Sequence, residues 1–393
     1  MLRFLTAGES HGPALSLILD GLPAGVDISP QEIDHQLRRR QAGYGRGGRM
    51  TIEKDEVEIT GGVRLGRTLG GPVAITIRNR DWANWTEAMR VEAPGSSSTD
   101  DAALRRVRHP RPGHADLAGA LKTGTHDARD VLERASARET TSRVAAGALA
   151  RQFLGAFGIE LASHTLGVGG VLAPRDTEVP WETIAAIPDD APLRCADPAL
   201  EAEMIREVDR ARAAKDSAGG IFQVVARGVP PGLGSCRLWD TRLEARLGQA
   251  LLSIHAVKAV EIGDGVAGAS RFGSQVHDEI HYDAARRRFH RRTNRAGGLE
   301  GGMTNGEEVR ATAYLKPLST LPRPLRSVDL IDKSAVEATV ERTDTCVIAA
   351  AGVIGEAMTA LAIAEAFLEK FGGDSMVETR RNYDGYLEQL EAY

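Results

Sequence analysis

Residues 105–143 hold the side chains best suited to move protons and bind anions. His109 and His114 sit pinned between prolines and a glycine, and an arginine-rich run follows, ending in Ser136-Ala137-Arg138-Glu139. Histidine supplies a proton that moves near neutral pH. The arginine fork matches carboxylate and phosphate geometry. The tetrapeptide reads as a capping box, Ser136 as N-cap and Glu139 reaching back to it. It predicts an alanine-rich helix to about Phe157, with Gly158 just past its end. The start of that helix, flanked by Arg134 and Arg138, suits a phosphate or another anion. Another histidine stands near the chain start, where the strand-like Leu2-Arg3-Phe4-Leu5 turns into Gly8-Glu9-Ser10-His11-Gly12. This order is not the Gly-x-Ser-x-Gly elbow, which sets an esterase aside.

The elements that must position these groups can be read in turn. Ala14 to Leu19 predict the strand after the first turn. Ser29-Pro30-Gln31-Glu32 is a second capping box with proline at the first helical position. Its helix turns Ile33 and Leu37 to one face and ends on Arg38, Arg39 and Arg40, favourable against the C-terminal dipole. Residues 43–49 form a flexible basic loop of glycines and arginines that suits closure over an anionic ligand. It has neither the Walker lysine nor Rossmann spacing. Strand-like patterns occupy residues 50–53, 57–59 and 73–77, and residues 81–101 read as a polar surface excursion. Residues 158–215 show weak periodicity, with a helix predicted over 198–214. Strands are predicted over 221–226 and 257–262, with an amphipathic helix over 241–254 between them. The glycine-rich run 297–306 precedes an alternating strand at 309–315. Arg342-Thr343-Asp344 stands before an apolar helix predicted over 347–368. Glu356 and Glu365 argue that this helix is buried in protein rather than in lipid. No repeat is present, and the reading is one large α+β domain over residues 1–393, rich in short antiparallel strands.

Composition narrows the classes. The 393 residues carry a formal net charge of −5 and only 5% aromatics, which argues against RNA binding by the arginine runs at 38–49 and 286–295. Cys195, Cys236 and Cys346 are far apart and lack metal-ligand spacing. They predict no disulfide framework and no metal site, and fit a reducing cytoplasm. No apolar signal region follows Met1, so the expectation is a soluble cytoplasmic protein. Arginines, turn histidines, serines and an aspartate beside an arginine describe an enzyme for a multiply anionic small molecule, with histidine moving the proton. The residue types stop there, and leave a flavin-independent histidine phosphohydrolase or phosphomutase open.

Five separated motifs, in order, resemble the chorismate synthase family: Gly8-Glu9-Ser10-His11-Gly12; the arginine loop through Arg40 and Arg46; Arg111-Pro112-Gly113-His114-Ala115-Asp116-Leu117; Leu132 through Thr140; and Arg342-Thr343-Asp344. The likeness extends to Gly372-Gly373-Asp374-Ser375. It implies a β-α-β sandwich with long central helices between antiparallel sheets, assembled as a homotetramer. It also implies loss of phosphate from 5-enolpyruvylshikimate 3-phosphate to give chorismate, a 1,4-elimination without net redox change that requires reduced FMN. Carried over by position, His11 would protonate the departing phosphate and His114 would keep the reduced flavin correctly protonated. Asp344 would assist uptake of the C6 proton, with Ser10 and Ser136 supporting through hydrogen bonds. Arg134, Ala135, Ser136, His255, Ala256, Gly301, Lys316, Pro317, Leu318, Ser319, Thr320 and Arg342 match FMN-contacting positions. Arg40 and Arg46 match positions assigned to substrate phosphate or to NADPH, and the lack of a Rossmann fingerprint favours the substrate. The resemblance leaves open whether NADPH reduces the flavin on this chain or a separate flavin reductase does. Residues 123–126, His255 and Val266 depart from the family pattern.

Overall fold

The computed structural model describes residues 2–48, 53–93, 103–174 and 178–393. Alternation of large apolar and polar residues builds the first sheet. In Ala14–Asp20, Leu15, Leu17 and Leu19 point inward, opposite Ile77, Ile75 and Val73 of Val73–Arg78. Arg3–Ala7 and Val57–Gly61 pair on the outer sides, and every pairing is antiparallel. A second antiparallel sheet runs in the order Val257–Ile262, Val309–Leu315, Gly220–Arg227, Glu160–Val168, Val171–Leu172. The chain is thus a mixed, α+β structure.

Two helices rich in alanine and glycine fill the space next to these sheets. Thr140–Gly155 packs on the first sheet and Ile348–Phe371 on the second, and the two pack on each other. They are in tight contact at Gly147, where a Cβ would stand 2.3 Å from that of Ala357. Gly355 lets the second helix lie against the Phe222 ring. The apolar helix of residues 348–371 is therefore a core element, 94% buried over its most apolar window.

Buried charge ties a third helix into this pair. Ser29 caps Pro30–Gln41 by accepting from the Glu32 amide at 3.2 Å, as its sequence predicts. Of its terminal arginines, Arg38 is exposed, but Arg39 and Arg40 are buried. Arg39 donates to both Glu356 oxygens at 2.7 and 3.0 Å, and Arg151 (2.6 Å) and the Ser163 hydroxyl (2.7 Å) complete that carboxylate. Burial raises the Glu356 pKa, but Arg39 and Arg151 outweigh it and hold the group at about 2.

Several sequence expectations change. The predicted helix from Ser136 begins as a 3-10 turn, Ala137–Glu139, and becomes α-helical only at Thr140. Ser136 caps the Arg138 amide, but the Glu139 carboxylate turns away to Thr6 Oγ1 and Arg143 Nε, both at 2.7 Å. The glycine–arginine loop is seated rather than loose, Gly43 and Gly45 at φ +114° and +87° against Ala349 and Cys346. Residues 81–101 are not simply a surface excursion, because Asp81 and Trp85 are buried. The end of that stretch, residues 94–101, lies outside the described residues, as do Arg49 and the start of the strand expected at 50–53; Glu53 itself is buried outside any strand. The weakly periodic segment hides an inner strand, Glu160–Val168, and the unforeseen helix Met376–Ala392 closes the chain.

Two stability predictions follow from this packing. Gly147→Ala should gain up to about 1 kcal/mol of helix propensity yet lose about 1–3 kcal/mol to overpacking, so urea unfolding should show net destabilisation. Glu356 stabilises above its unfolded pKa of about 4.3, and loses that contribution as pH falls through its folded value. Glu356→Gln should therefore cost on the order of 3 kcal/mol at neutral pH and lessen the slope of stability against pH on the acid side.

Candidate active site

Two histidines face one cavity, each held by a buried carboxylate that is itself braced by an arginine. At His11, Nδ1 lies 2.9 Å from both Glu133 oxygens, and the His11 amide donates to Glu133 at 2.9 Å. A carboxylate only accepts, so Nδ1 carries the proton and Nε2 is turned towards the cavity. Arg129 Nη1 donates to the same carboxylate at 2.9 Å. Burial raises the Glu133 pKa, and the His11 and Arg129 hydrogen bonds more than reverse this, leaving it below the ordinary range. Ser10 is fixed by its amide on the Glu133 carbonyl, and Ser136 Oγ donates to Ser10 Oγ at 3.1 Å.

His114 repeats the scheme. Its Nδ1 makes a short hydrogen bond to Asp116, which is fully buried. Arg111 donates to that carboxylate through Nε at 2.8 Å and Nη2 at 3.0 Å, while its Nη1 reaches Thr320 Oγ1 at 2.8 Å. Burial opposes the charge on Asp116, yet His114 and Arg111 keep it well below the usual carboxylate range. A permanently ionised partner on Nδ1 makes Nε2 the proton acceptor. His109, by contrast, faces Asp329 at 3.4 Å and is not part of the cavity wall.

The cavity between them encloses about 460 Å³, the size of a small-molecule site. Its floor is made by the starts of the two long helices, from Ser136 to Thr140 and from Asp344 to Ala351, where helix dipoles favour negative charge. Arg40 lines it from the end of Pro30–Gln41. Nε donates to Thr140 Oγ1 and Nη2 to the Ala137 carbonyl, both at 2.9 Å, while buried Nη1 has no hydrogen-bond partner. Burial pushes this guanidinium down to about 9, with Asp55 opposing and Arg138 and Arg46 adding to the effect. It stays charged at neutral pH and is short of negative charge. Arg46 approaches Asp344 at 3.1 Å, and the same aspartate accepts from the Gly47 amide at 2.5 Å.

Apolar side chains complete the lining: Ile254, Ala256, Leu315, Leu318, Val347 and Ile354. Lys316 Nζ donates to the Gly113 carbonyl at 2.9 Å, over a glycine at φ +77°. Burial, then Lys258, lowers the Lys316 pKa. Ala256 takes a left-handed φ of +68°, unusual for a residue with a Cβ, and turns His255 to the cavity with its Nδ1 buried and unpartnered. Burial pushes His255 down to about 4, so the ring is neutral and able to accept a hydrogen bond.

Ser10, His11, Arg40, Arg46, His114, Ala135, Ser136, His255, Ala256, Lys316, Leu318, Ser319, Thr320, Arg342 and Asp344 thus line one space. Pro317 is exposed beside Lys316 without lining it. Arg134 is directed elsewhere, donating to Thr6 and Gly8 carbonyls at 2.9 and 3.3 Å. Arg138 is buried against Asp55 and Asn79, so neither arginine flanking the helix start is an open anion ligand. Gly301 lies in an exposed hairpin turn that does not line the cavity. Sequence reasoning missed the supporting groups Glu133, Asp116, Arg129 and Trp85. Trp85 gave no signal of its own, because it falls in a stretch that reads as a polar surface excursion.

Known proteins with this sequence pattern are consistent in kind. A family model described as chorismate synthase matches residues 2–368. The chorismate synthase of Solibacter usitatus is 55% identical over 395 residues, covering 100% of both chains. That of Symbiobacterium thermophilum is 54% identical, covering 99% of each. A crystal structure of chorismate synthase superposes with a TM-score of 0.79 at 38% identity, covering 100% of this chain and 99% of the other. With the whole length matched at these identities, the chain belongs to the chorismate synthase family.

Proposed function

We propose that this cavity eliminates phosphate from 5-enolpyruvylshikimate 3-phosphate to give chorismate, the family's reaction. The observation that carries the reading is the convergence of two carboxylate-braced histidines and the charge-starved Arg40 on one cavity. The substrate bears two carboxylates and a phosphate, which such a cation-lined space suits. The residues also fit FMN. A planar, anionic, amphipathic group matches a lining that combines apolar side chains with the unpartnered His255 Nδ1 and the Lys316 ammonium. Ala135, Ser136, His255, Ala256, Lys316, Leu318, Ser319, Thr320 and Arg342 would hold it; Arg134, Gly301 and Pro317, which the resemblance adds, do not line the cavity. Reduced flavin, when bound, supplies electron density to the substrate and a basic nitrogen for the C6 proton.

The chain's own groups divide the remaining work. Cleavage of the C3–O bond leaves charge on the phosphate, and His11 Nε2 delivers the proton that neutralises part of it. Glu133 stabilises the imidazolium before transfer. Arg40 and Arg46 bind the phosphate as it departs. His114, with Nδ1 on Asp116, presents an accepting Nε2 that fixes the protonation of the group beside it. Asp344 handles the proton on the C6 side, its charge tempered by Arg46 and the Gly47 amide. We extend the reading to a β-α-β layering, a cytoplasmic homotetramer, and reduction of FMN either by NADPH on this chain or by a separate reductase.

Anaerobic turnover with chemically reduced FMN should yield chorismate and phosphate together, and neither without flavin. Phosphate released without flavin would favour a histidine phosphohydrolase, and absence of product under any condition would reject the reaction. Oxidised FMN with NADPH in the same assay separates self-reduction from an external reductase. His114→Ala and Asp344→Ala should each lower kcat by about 100-fold or more; near-normal turnover in either would remove that residue from its role.

A further inference from the structure

Trp85 has no part in the reading above, yet it covers one face of the His11 ring. The ring centroids are 3.8 Å apart at 21°, a face-to-face stack. The buried indole is itself anchored: Nε1 donates to Asp81 at 3.2 Å, and Asp81 accepts from Arg342 and Asn84, each at 2.8 Å. The Arg105 guanidinium carbon lies 4.1 Å from the indole centroid. Two flat groups that close to one centroid must occupy its two faces, so the indole is clamped between His11 and Arg105. Arg129, which braces Glu133, lies 5.2 Å from the same ring. An ordinary core tryptophan packs among aliphatic side chains; this one is held between an imidazole and a guanidinium.

The geometry has a clear consequence for His11. The hydrogen bond from Nδ1 to Glu133 fixes one edge of the imidazole but leaves the ring able to swing about that bond. A flat indole 3.8 Å away removes the swing and keeps Nε2 aimed into the cavity. We propose that Trp85 is a positioning residue for His11, with Asp81, Arg342 and Arg105 as its anchor. The proposal rests on His11 acting as the acid towards the leaving phosphate.

Three full-length variants test it with reduced FMN present. Trp85→Phe keeps a flat face and should hold kcat within about threefold of wild type. Trp85→Leu should lose about tenfold or more in kcat, with KM within about twofold. Combined with His11→Asn, Trp85→Leu should add no further loss, because its effect passes through His11 alone. A protonated imidazole stacked on an indole quenches its emission. Wild-type tryptophan emission should therefore have a pH-dependent part that vanishes in both His11→Asn and Trp85→Phe. Losses that add in the double variant, equal losses in Phe and Leu, or no His11-dependent emission change would each overturn the proposal. The emission measurement needs no Leu variant and so survives a folding failure. Wild-type turnover in His11→Asn would instead reject His11 as the acid, while the emission titration would still report the stack.

Discussion

A guanidinium in a low-dielectric interior is tolerated only beside a fixed negative charge. Most of the structure around the cavity can be understood as meeting that condition. Glu356 serves Arg39 and Arg151, Asp55 serves Arg138, Asp116 serves Arg111, and Glu133 serves Arg129. Each pair joins segments distant in sequence or braces a reacting group, so charge compensation and tertiary register are the same contacts. Among the buried arginines that line the cavity, Arg40 departs from this. Its nearest carboxylate oxygen, on Asp55, is 3.9 Å away and already engaged by Arg138 at 2.6 and 2.8 Å. The imbalance falls at the cavity wall, where an incoming anion can correct it.

The alanine and glycine content of the two long helices has a related purpose. Large side chains at Gly147 or Ala357 would separate the helices, and their starts would no longer meet around one space. Close backbone packing lets both N-termini open onto the same cavity, adding dipolar attraction for anions to the arginines. It also carries Asp344, just ahead of one helix, within reach of Arg46 and Gly47 on the loop after the first helix.

The sequence disclosed the elements with strong periodicity or caps: Pro30–Gln41 through Ser29, the Val73–Arg78 and Val309–Leu315 strands through alternation, and the apolar helix through its composition. Glu160–Val168 escaped because both faces are buried, so its burial runs nearly continuously instead of alternating. At the site, residues in turns were legible because histidine and glycine are costly to place without reason. Their supporting carboxylates were not, because nothing in Glu133 or Asp116 as letters distinguishes a buried anchor from a solvated acid. Arg134 and Arg138 show the opposite error. Arginines flanking a helix start suggested an anion site, but backbone carbonyls and buried acids had already engaged them.

The two histidines share one design and differ in one respect, and the difference matches the chemistry proposed for them. Both place Nδ1 on an ionised, arginine-braced carboxylate, which fixes the tautomer and the orientation of the ring. A group that only maintains the protonation of its neighbour needs no finer control, and Arg111 with Thr320 is enough to hold Asp116 beneath His114. A proton donor to a departing oxygen must be aligned with that oxygen as the bond breaks, when small angular errors weaken transfer most. His11 alone has an aromatic face against it, clamped from behind by a guanidinium. The additional constraint lies on the histidine whose proposed task depends on direction.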